Sequence, residues 1–348
     1  MRTLTRINII ALLILTISGC KVTATKVDPL SEITKITSFT EWCQQKSRLP
    51  EETKRTVEVL LKKAGTRNCQ RANRKLMSLT ELNLSVRANR EDIISDVKPL
   101  ASLTNLTKLA IAGNEVKDVK PLSSLTNLKE LYLWGNKIND ITPISGLTNL
   151  TKLDIGQNKI RDIIPLSGLT NLTELAIIKS SINDLKPIAN LTNLRELTLY
   201  DNKISDLEPL SSLASLTKLD LWNNQIKDLK PLSNLTNLAD LDIRKNQISD
   251  ITPLSSLNNL TDLSIGGNQI SDVTPLSNLT NLSRLYLWDN KIKDVEPLSA
   301  LTNLTHLDIS NNQIKDVKPL SDLKNLTDFG ISSDKNCPLQ QKSVCRFQ

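Results

Sequence analysis

The 348-residue chain has a formal net charge of +7, and it holds 10 glycines, five cysteines and a single histidine. So little glycine leaves no glycine-rich phosphate loop. One histidine, with the cysteines expected in other roles, leaves no poised nucleophile, acid or base, so no enzyme and no cofactor are expected.

Residues 1–19 have the layout of a secretory signal. Arg2 and Arg6 precede a run from Ile9 to Ile17 that is apolar except for Thr16, and small residues follow. The run is too short to span a membrane, and no later segment is long and apolar enough to do so. Ile17-Ser18-Gly19-Cys20 resembles the bacterial lipobox, in which the cysteine is acylated and becomes the new N-terminus. Cys20 is therefore the expected lipidation site, with membrane attachment through an N-terminal lipid. Lys21 beside it resembles outer-membrane sorting. The expected location is thus exported and lipid-anchored to the bacterial membrane, at the outer membrane or cell surface if there are two membranes. Export removes nucleic acid as an expected partner despite the positive charge. Residues 20–37 are short, polar and lightly charged, and read as a tether.

Residues 38–78 read as a helical N-terminal cap. Val57, Leu60, Leu61 and Ala64 follow helical spacing, with Pro50 near the start and Gly65 as the stop. The segment is basic: Lys54, Arg55, Lys62, Lys63, Arg67, Arg71, Arg74 and Lys75 outnumber Glu51, Glu52 and Glu58. That charge reads as a solvated helical face, with anionic headgroups near the lipid tether as the alternative.

From residue 79 to 331 the chain repeats. Eleven prolines, from Pro99 to Pro319, stand 22 residues apart without insertion or deletion. One unit, Leu147–Gly168, reads LTNLTKLDIGQNKIRDIIPLSG. The alternation at Leu153 and Ile155 predicts a short strand with one buried face. Copies stacked in register predict a parallel sheet, with 3₁₀ or extended returns at each Pro-Leu-Ser because 22 residues leave no room for a full helix. The recurring Asn, such as Asn158, is expected to satisfy backbone groups within and between coils, and the recurring Asp, such as Asp162, to serve the coil rather than a ligand. Ser180 stands where the Asn series breaks. It reads as a tolerated weak coil, with a local binding feature at Lys179–Ser181 as the alternative.

Units such as LTNLKELYLWGNKINDITPISG and LTNLTHLDISNNQIKDVKPLSD closely resemble the 22-residue leucine-rich repeats of the bacterial internalin family. The resemblance implies an α/β solenoid: a right-handed leucine-rich repeat superhelix of about eleven to twelve coils, with a parallel concave β-sheet. Internalins follow their repeats with an immunoglobulin-like segment and a wall-attachment region, neither of which is expected here. What the resemblance implies is a capped binding scaffold, without the family's host-cell invasion role.

Residues 332–348 read as a C-terminal cap. About eleven coils at roughly 4.8 Å each separate the two ends by about 50 Å, far beyond disulfide reach. The mature cysteines must then pair within each cap, as Cys43–Cys69 and Cys337–Cys345, and export favours their oxidation.

Between the inward residues of each strand, alternate side chains point outward. Of the three tyrosines and four tryptophans, six lie at these positions: Tyr132, Trp134, Tyr200, Trp222, Tyr286 and Trp288. Large rings facing solvent suit a binding face, although LYLWGNKI and LYLWDNKI are near-copies and duplication accounts for part of the pattern. Charges share the surface, among them Asp220, Asp242 and Arg244. Asp220 and Asp242 should be neighbours in adjacent coils. Calcium needs six to eight oxygens, and pairing with Lys218 and Arg244 is the simpler solution, so no metal is expected. Paired carboxylates also serve glycosidases, but an open sheet excludes little water. The expected function is a non-catalytic cell-envelope scaffold that binds a protein ligand through this face. The alternative is a carbohydrate-binding surface module using the same rings, and a structural spacer is a weaker third.

Overall fold

The cap begins where the sequence supplies helix signals. In the computed structural model, which describes residues 36–86, 92–332 and 345–347, Ser38 and Glu41 form a reciprocal capping box at the start of α1 (Phe39–Gln44). Helix α2 (Glu51–Ala64) starts after Pro50 and stops at Gly65, whose φ of +66° is the left-handed conformation that ends a helix. It buries Val57, Leu60, Leu61 and Ala64, the four residues expected from the spacing. Helix α3 (Cys69–Met77) is capped by the Asn68 side chain. The Cys43–Cys69 disulfide, with Cα atoms 5.6 Å apart, ties α1 to α3 as expected. Thr56 joins the cap to the repeats by donating its hydroxyl to the Asp96 carbonyl at 2.6 Å.

Ser38–Gln348 forms one compact unit, built on a 13-stranded parallel sheet whose strands pair in chain order. Strand β1 (Glu81–Asn83) pairs with β2 (Lys108–Ala110) by placing Leu82 opposite Leu109, so this first coil is 27 residues long. From β2 to β12 (Asp328–Ile331) the strands keep the 22-residue register, for instance Leu131 opposite Leu153. Each coil sends the same apolar positions inward. Leu147, Leu150, Leu153, Ile155, Ile160, Ile163 and Leu166 are all at most 2% exposed. No coil could hide those side chains alone, and stacking hides them on both sides. The returns are 3₁₀ turns with Pro in the first positions, such as Ile164–Leu166. The Asp162 carboxylate accepts the Ile164 N–H at 2.8 Å, and its counterparts do the same along the stack. The recurring aspartates therefore serve the coil.

Two asparagine ladders bind coil to coil. Asn158 accepts the Ile138 N–H at 3.0 Å and donates to the carbonyls of Leu133 and Ile155, both at 3.0 Å. It thus satisfies buried backbone in its own coil and in the preceding one. The second ladder uses the Asn of each LTNL segment, as where Asn149 donates to the Thr126 carbonyl at 2.9 Å.

The C-terminal segment, read from the sequence as a cap, contributes one more strand: β13 (Cys345–Phe347) pairs with β12 in parallel and extends the sheet. Of the other expectations, the signal, Cys20 and most of the tether lie outside the described residues. So does Cys337, and with it the Cys337–Cys345 pair.

Candidate ligand-binding face

The period-two alternation that buries Leu131 and Leu133 turns Tyr132 and Trp134 outward, and the exact register repeats this in every coil. All six rings are half-buried on the one outward face of the sheet. Trp134, Tyr200, Trp222 and Trp288 occupy one column, and Tyr132 and Tyr286 occupy the column beside it. The column is interrupted, so the rings form three groups: Tyr132 with Trp134, Tyr200 with Trp222, and Tyr286 with Trp288.

The rings lean along the sheet rather than standing clear of it. Trp288 lies over Gly266: a Cβ placed there would stand 2.4 Å from the ring. At Gly156 such an atom would meet the Ile178 side chain at 2.4 Å and the edge of Trp134 at 3.1 Å. Gly266 is thus the seat of a tryptophan from the neighbouring coil, a relation the sequence order hides.

The central group is the densest. Tyr200 and Trp222 have centroids 5.5 Å apart at a tilt of 40°. On the next coil the Arg244 guanidinium and the Lys245 ammonium lie 5.8 and 5.7 Å from the Trp222 ring, within cation–π range. Arg244 also forks onto Asp242, with Nε 2.9 Å from Oδ1 and 3.0 Å from Oδ2.

Asp220 does lie opposite Asp242 in adjacent strands, but the expected pairing holds for one of them only. Arg244 pairs with Asp242, whereas Lys218 reaches across to Asp240 at 3.2 Å. The reason is register: Lys218 and Asp240 are directly opposed in the first outward column. Asp220 keeps a hydrogen bond from the Trp222 N–H at 3.1 Å. Burial and the Asp242 carboxylate push its pKa up to about 6, against the pull of that N–H, Arg244 and Lys218. Burial likewise raises Asp154, although the Gly156 N–H opposes it. The Tyr132 hydroxyl donates to Glu130 at 2.9 Å, and burial together with this bond pushes the phenol up to about 12. Burial also raises the Tyr200 phenol, followed by the nearby Asp220, Asp201 and Asp154 carboxylates.

The first outward column is a ladder of cross-strand ion pairs. Lys108 holds Glu130 at 2.7 Å and Lys152 holds Glu174 at 2.5 Å, while Arg284 pairs with Asp262. Among the described residues, no group of three or more His, Cys, Asp and Glu side chains is placed to hold a metal ion. The Ser180 coil is irregular. Lys179 and Ser181 both have positive φ, at 51° and 61°. The Ser180 and Ile182 N–H groups share the Asn202 side-chain oxygen, each at 3.2 Å. Ser180 is buried, as suits a tolerated coil.

Comparison with known proteins agrees with this architecture. The family model described as Leucine Rich repeats (2 copies) matches residues 104–147, 126–170, 214–256, 258–300 and 302–341. No curated protein matches the chain. Among solved structures, an internalin, InlF, from Listeria monocytogenes is 33% identical, with a TM-score of 0.70 over 83% of this chain and 93% of its own. The functional domain of InlJ from the same organism, described as including a cysteine ladder, is 26% identical, with a TM-score of 0.68 over 85% of this chain and 61% of its own. The Arabidopsis receptor kinase HAESA, solved with a peptide hormone and a co-receptor, is 22% identical, with a TM-score of 0.64 over 73% of this chain and 46% of its own. This last likeness is one of fold.

Proposed function

The chain belongs to the internalin-like leucine-rich repeat proteins, and from that premise we propose that it is a non-catalytic interaction scaffold that takes a protein ligand on the outward face of its sheet. One observation carries this reading: six of the seven tyrosine and tryptophan rings of the chain lie half-exposed on that single face. Rigid rings offer large contact area at small entropic cost, which is why they dominate binding hot spots. The plant receptor solved with its peptide hormone supports the view that this fold can present ligand surfaces. An open sheet that excludes little water suits recognition better than chemistry.

We further propose that the protein is exported and acylated at Cys20, so that the repeats work at the cell envelope. Labelled fatty acid should enter the wild type and not Cys20→Ala, and equal labelling in both would end this part of the proposal. The ligand face is tested by quantitative capture from envelope extracts with wild type and the double variant Trp134→Ala/Trp222→Ala. Captured protein should fall by about tenfold or more, with an unchanged circular dichroism spectrum. Unchanged capture would remove the face from the function. Protease-resistant capture competed by sugars would instead favour a glycan ligand.

A further inference from the structure

The outward face has a charge opposite to that of the chain. At the strictly alternating outward positions of β1 to β12 stand eleven carboxylates and five cations, whereas the chain as a whole is +7. All five cations are already engaged with carboxylates of the same face: Lys108, Lys152, Lys218, Arg244 and Arg284. At these positions the surplus is therefore negative, while Lys245, one residue past them, keeps its ammonium against the Trp222 ring. Within the surplus, Asp154, Glu196 and Asp220 have no cation within ion-pair distance among the described residues.

Two of these carboxylates frame an open seat. Asp154, Ala176, Thr198 and Asp220 follow one another in a single column through the sheet register. Three strand spacings separate the two aspartates, about 14 Å, with only the small Ala176 and Thr198 side chains between them. Ile178 and the Tyr200 ring stand in the adjoining column. Both aspartates act electrostatically on the Tyr200 phenol, which places negative charge around an aromatic wall. The span is too wide for one metal ion to join the two carboxylates. It suits a long cationic side chain, whose methylenes can lie on Ala176 and Ile178 while the head group reaches carboxylate and ring.

We propose that the polypeptide docking on this face is basic, and that it seats a lysine or arginine side chain between Asp154 and Asp220, beside Tyr200. This rests on the reading of the sheet face as the ligand surface and adds the chemistry of the ligand. Complementary charge also speeds encounter and penalises acidic competitors.

The test titrates the full mature chain with two synthetic peptides, a Lys-Ser repeat and a Glu-Ser repeat of equal length, by isothermal titration calorimetry. The Lys-Ser peptide should bind, and its affinity should fall about tenfold from low to physiological ionic strength. The Glu-Ser peptide should not bind. Asp154→Asn/Asp220→Asn should weaken Lys-Ser binding about tenfold or more, while Glu208→Gln, on the return side, should leave it unchanged. Binding of both peptides, no binding of Lys-Ser at low salt, or indifference to the double variant would each overturn the proposal. An envelope protein captured through Trp134 and Trp222 but indifferent to Asp154→Asn/Asp220→Asn would overturn the basic ligand and leave the face standing. Capture that survives both pairs of changes would overturn the face itself.

Discussion

At Asn202 one side chain serves two coils. Its oxygen accepts the Ser180 and Ile182 N–H groups, and its nitrogen donates to the carbonyls of Ile177 at 2.6 Å and Leu199 at 2.9 Å. Removing it leaves these buried backbone groups without partners, which is the expensive side of hydrogen bonding. Asn202→Ala should therefore destabilise the protein by about 2–4 kcal/mol in urea unfolding. The half-buried Asn246 should cost less when replaced in the same way. Asp220 acts in the opposite direction. Its folded carboxyl titrates near 6 instead of the ordinary 3.8, so between those values the folded state holds the proton more tightly than the unfolded state. Stability then falls as pH rises through that window, and the ionised side chain is a net burden at neutral pH. The shift nominally corresponds to about 3 kcal/mol, and partial solvent exposure reduces this to about 1 kcal/mol. Asp220→Asn should accordingly be about 1 kcal/mol more stable than wild type at pH 7.5, with the difference vanishing toward pH 4. Equal stability at both pH values would show that the carboxylate is not destabilised. A residue that burdens the free fold from the column beside the Tyr200 and Trp222 rings is what a cationic ligand would relieve.

Among the elements, the cap depends most on a covalent link. Cys43 and Cys69 close a loop with a sequence separation of 26, a constraint on the unfolded chain of about 3 kcal/mol. Cys43→Ser should lower cap stability by about that amount. Trp42, buried in α1 at 4% exposure, reports the opening as a red shift in fluorescence before the repeats melt. The cap also shows how far the sequence could be read. Helix signals at Pro50 and Gly65 placed α2, and the distance between the ends selected the Cys43–Cys69 pair, because both depend on local chemistry or on the repeat count. The strands and 3₁₀ returns were equally legible, since strict period and proline fix them. Less legible was anything depending on what lies across the register. The Asn of LTNL repeats visibly in the sequence, but its partner, a carbonyl of the preceding coil, lies 23 residues away and is set by the stacking. Lys218 and Arg244 together read as partners for the Asp220 and Asp242 pair, but the neighbouring strand puts Asp240 opposite Lys218. Gly266 carries no signal of its own, because its role is to leave room for a ring 22 residues later. Strand β13 departs from the repeat pattern, and pairing with the open edge of β12 defines it.

At the scale of the whole molecule, the same register that stacks the coils sorts charge and rings onto one face. Each strand pairs only with its sequence neighbours, so stability is close to a sum of coil and interface contributions. A whole coil can then be removed where a fraction of one cannot. Deleting residues 291–312 joins Asn290 to Gln313, takes out one complete 22-residue unit with its strand His306–Asp308, and leaves every Leu, Asn and Pro in phase. This variant should fold with the same circular dichroism per residue and a Tm lower by roughly 1.5–3 °C, the effect of losing one or two kcal/mol from a domain of this size. Deleting residues 291–301 instead puts the following strand half a coil out of phase, turns apolar positions outward and breaks the Asn ladder at its next step. That protein should lose cooperative unfolding and bind a hydrophobic dye. The first deletion leaves the Tyr200–Trp222 group and the seat between Asp154 and Asp220 untouched, so it should bind the Lys-Ser peptide as the wild type does. Loss of binding in a well-folded deletion would mean that the ligand also reaches the deleted His306–Asp308 coil, and that the recognised length of the sheet is longer than the central group alone.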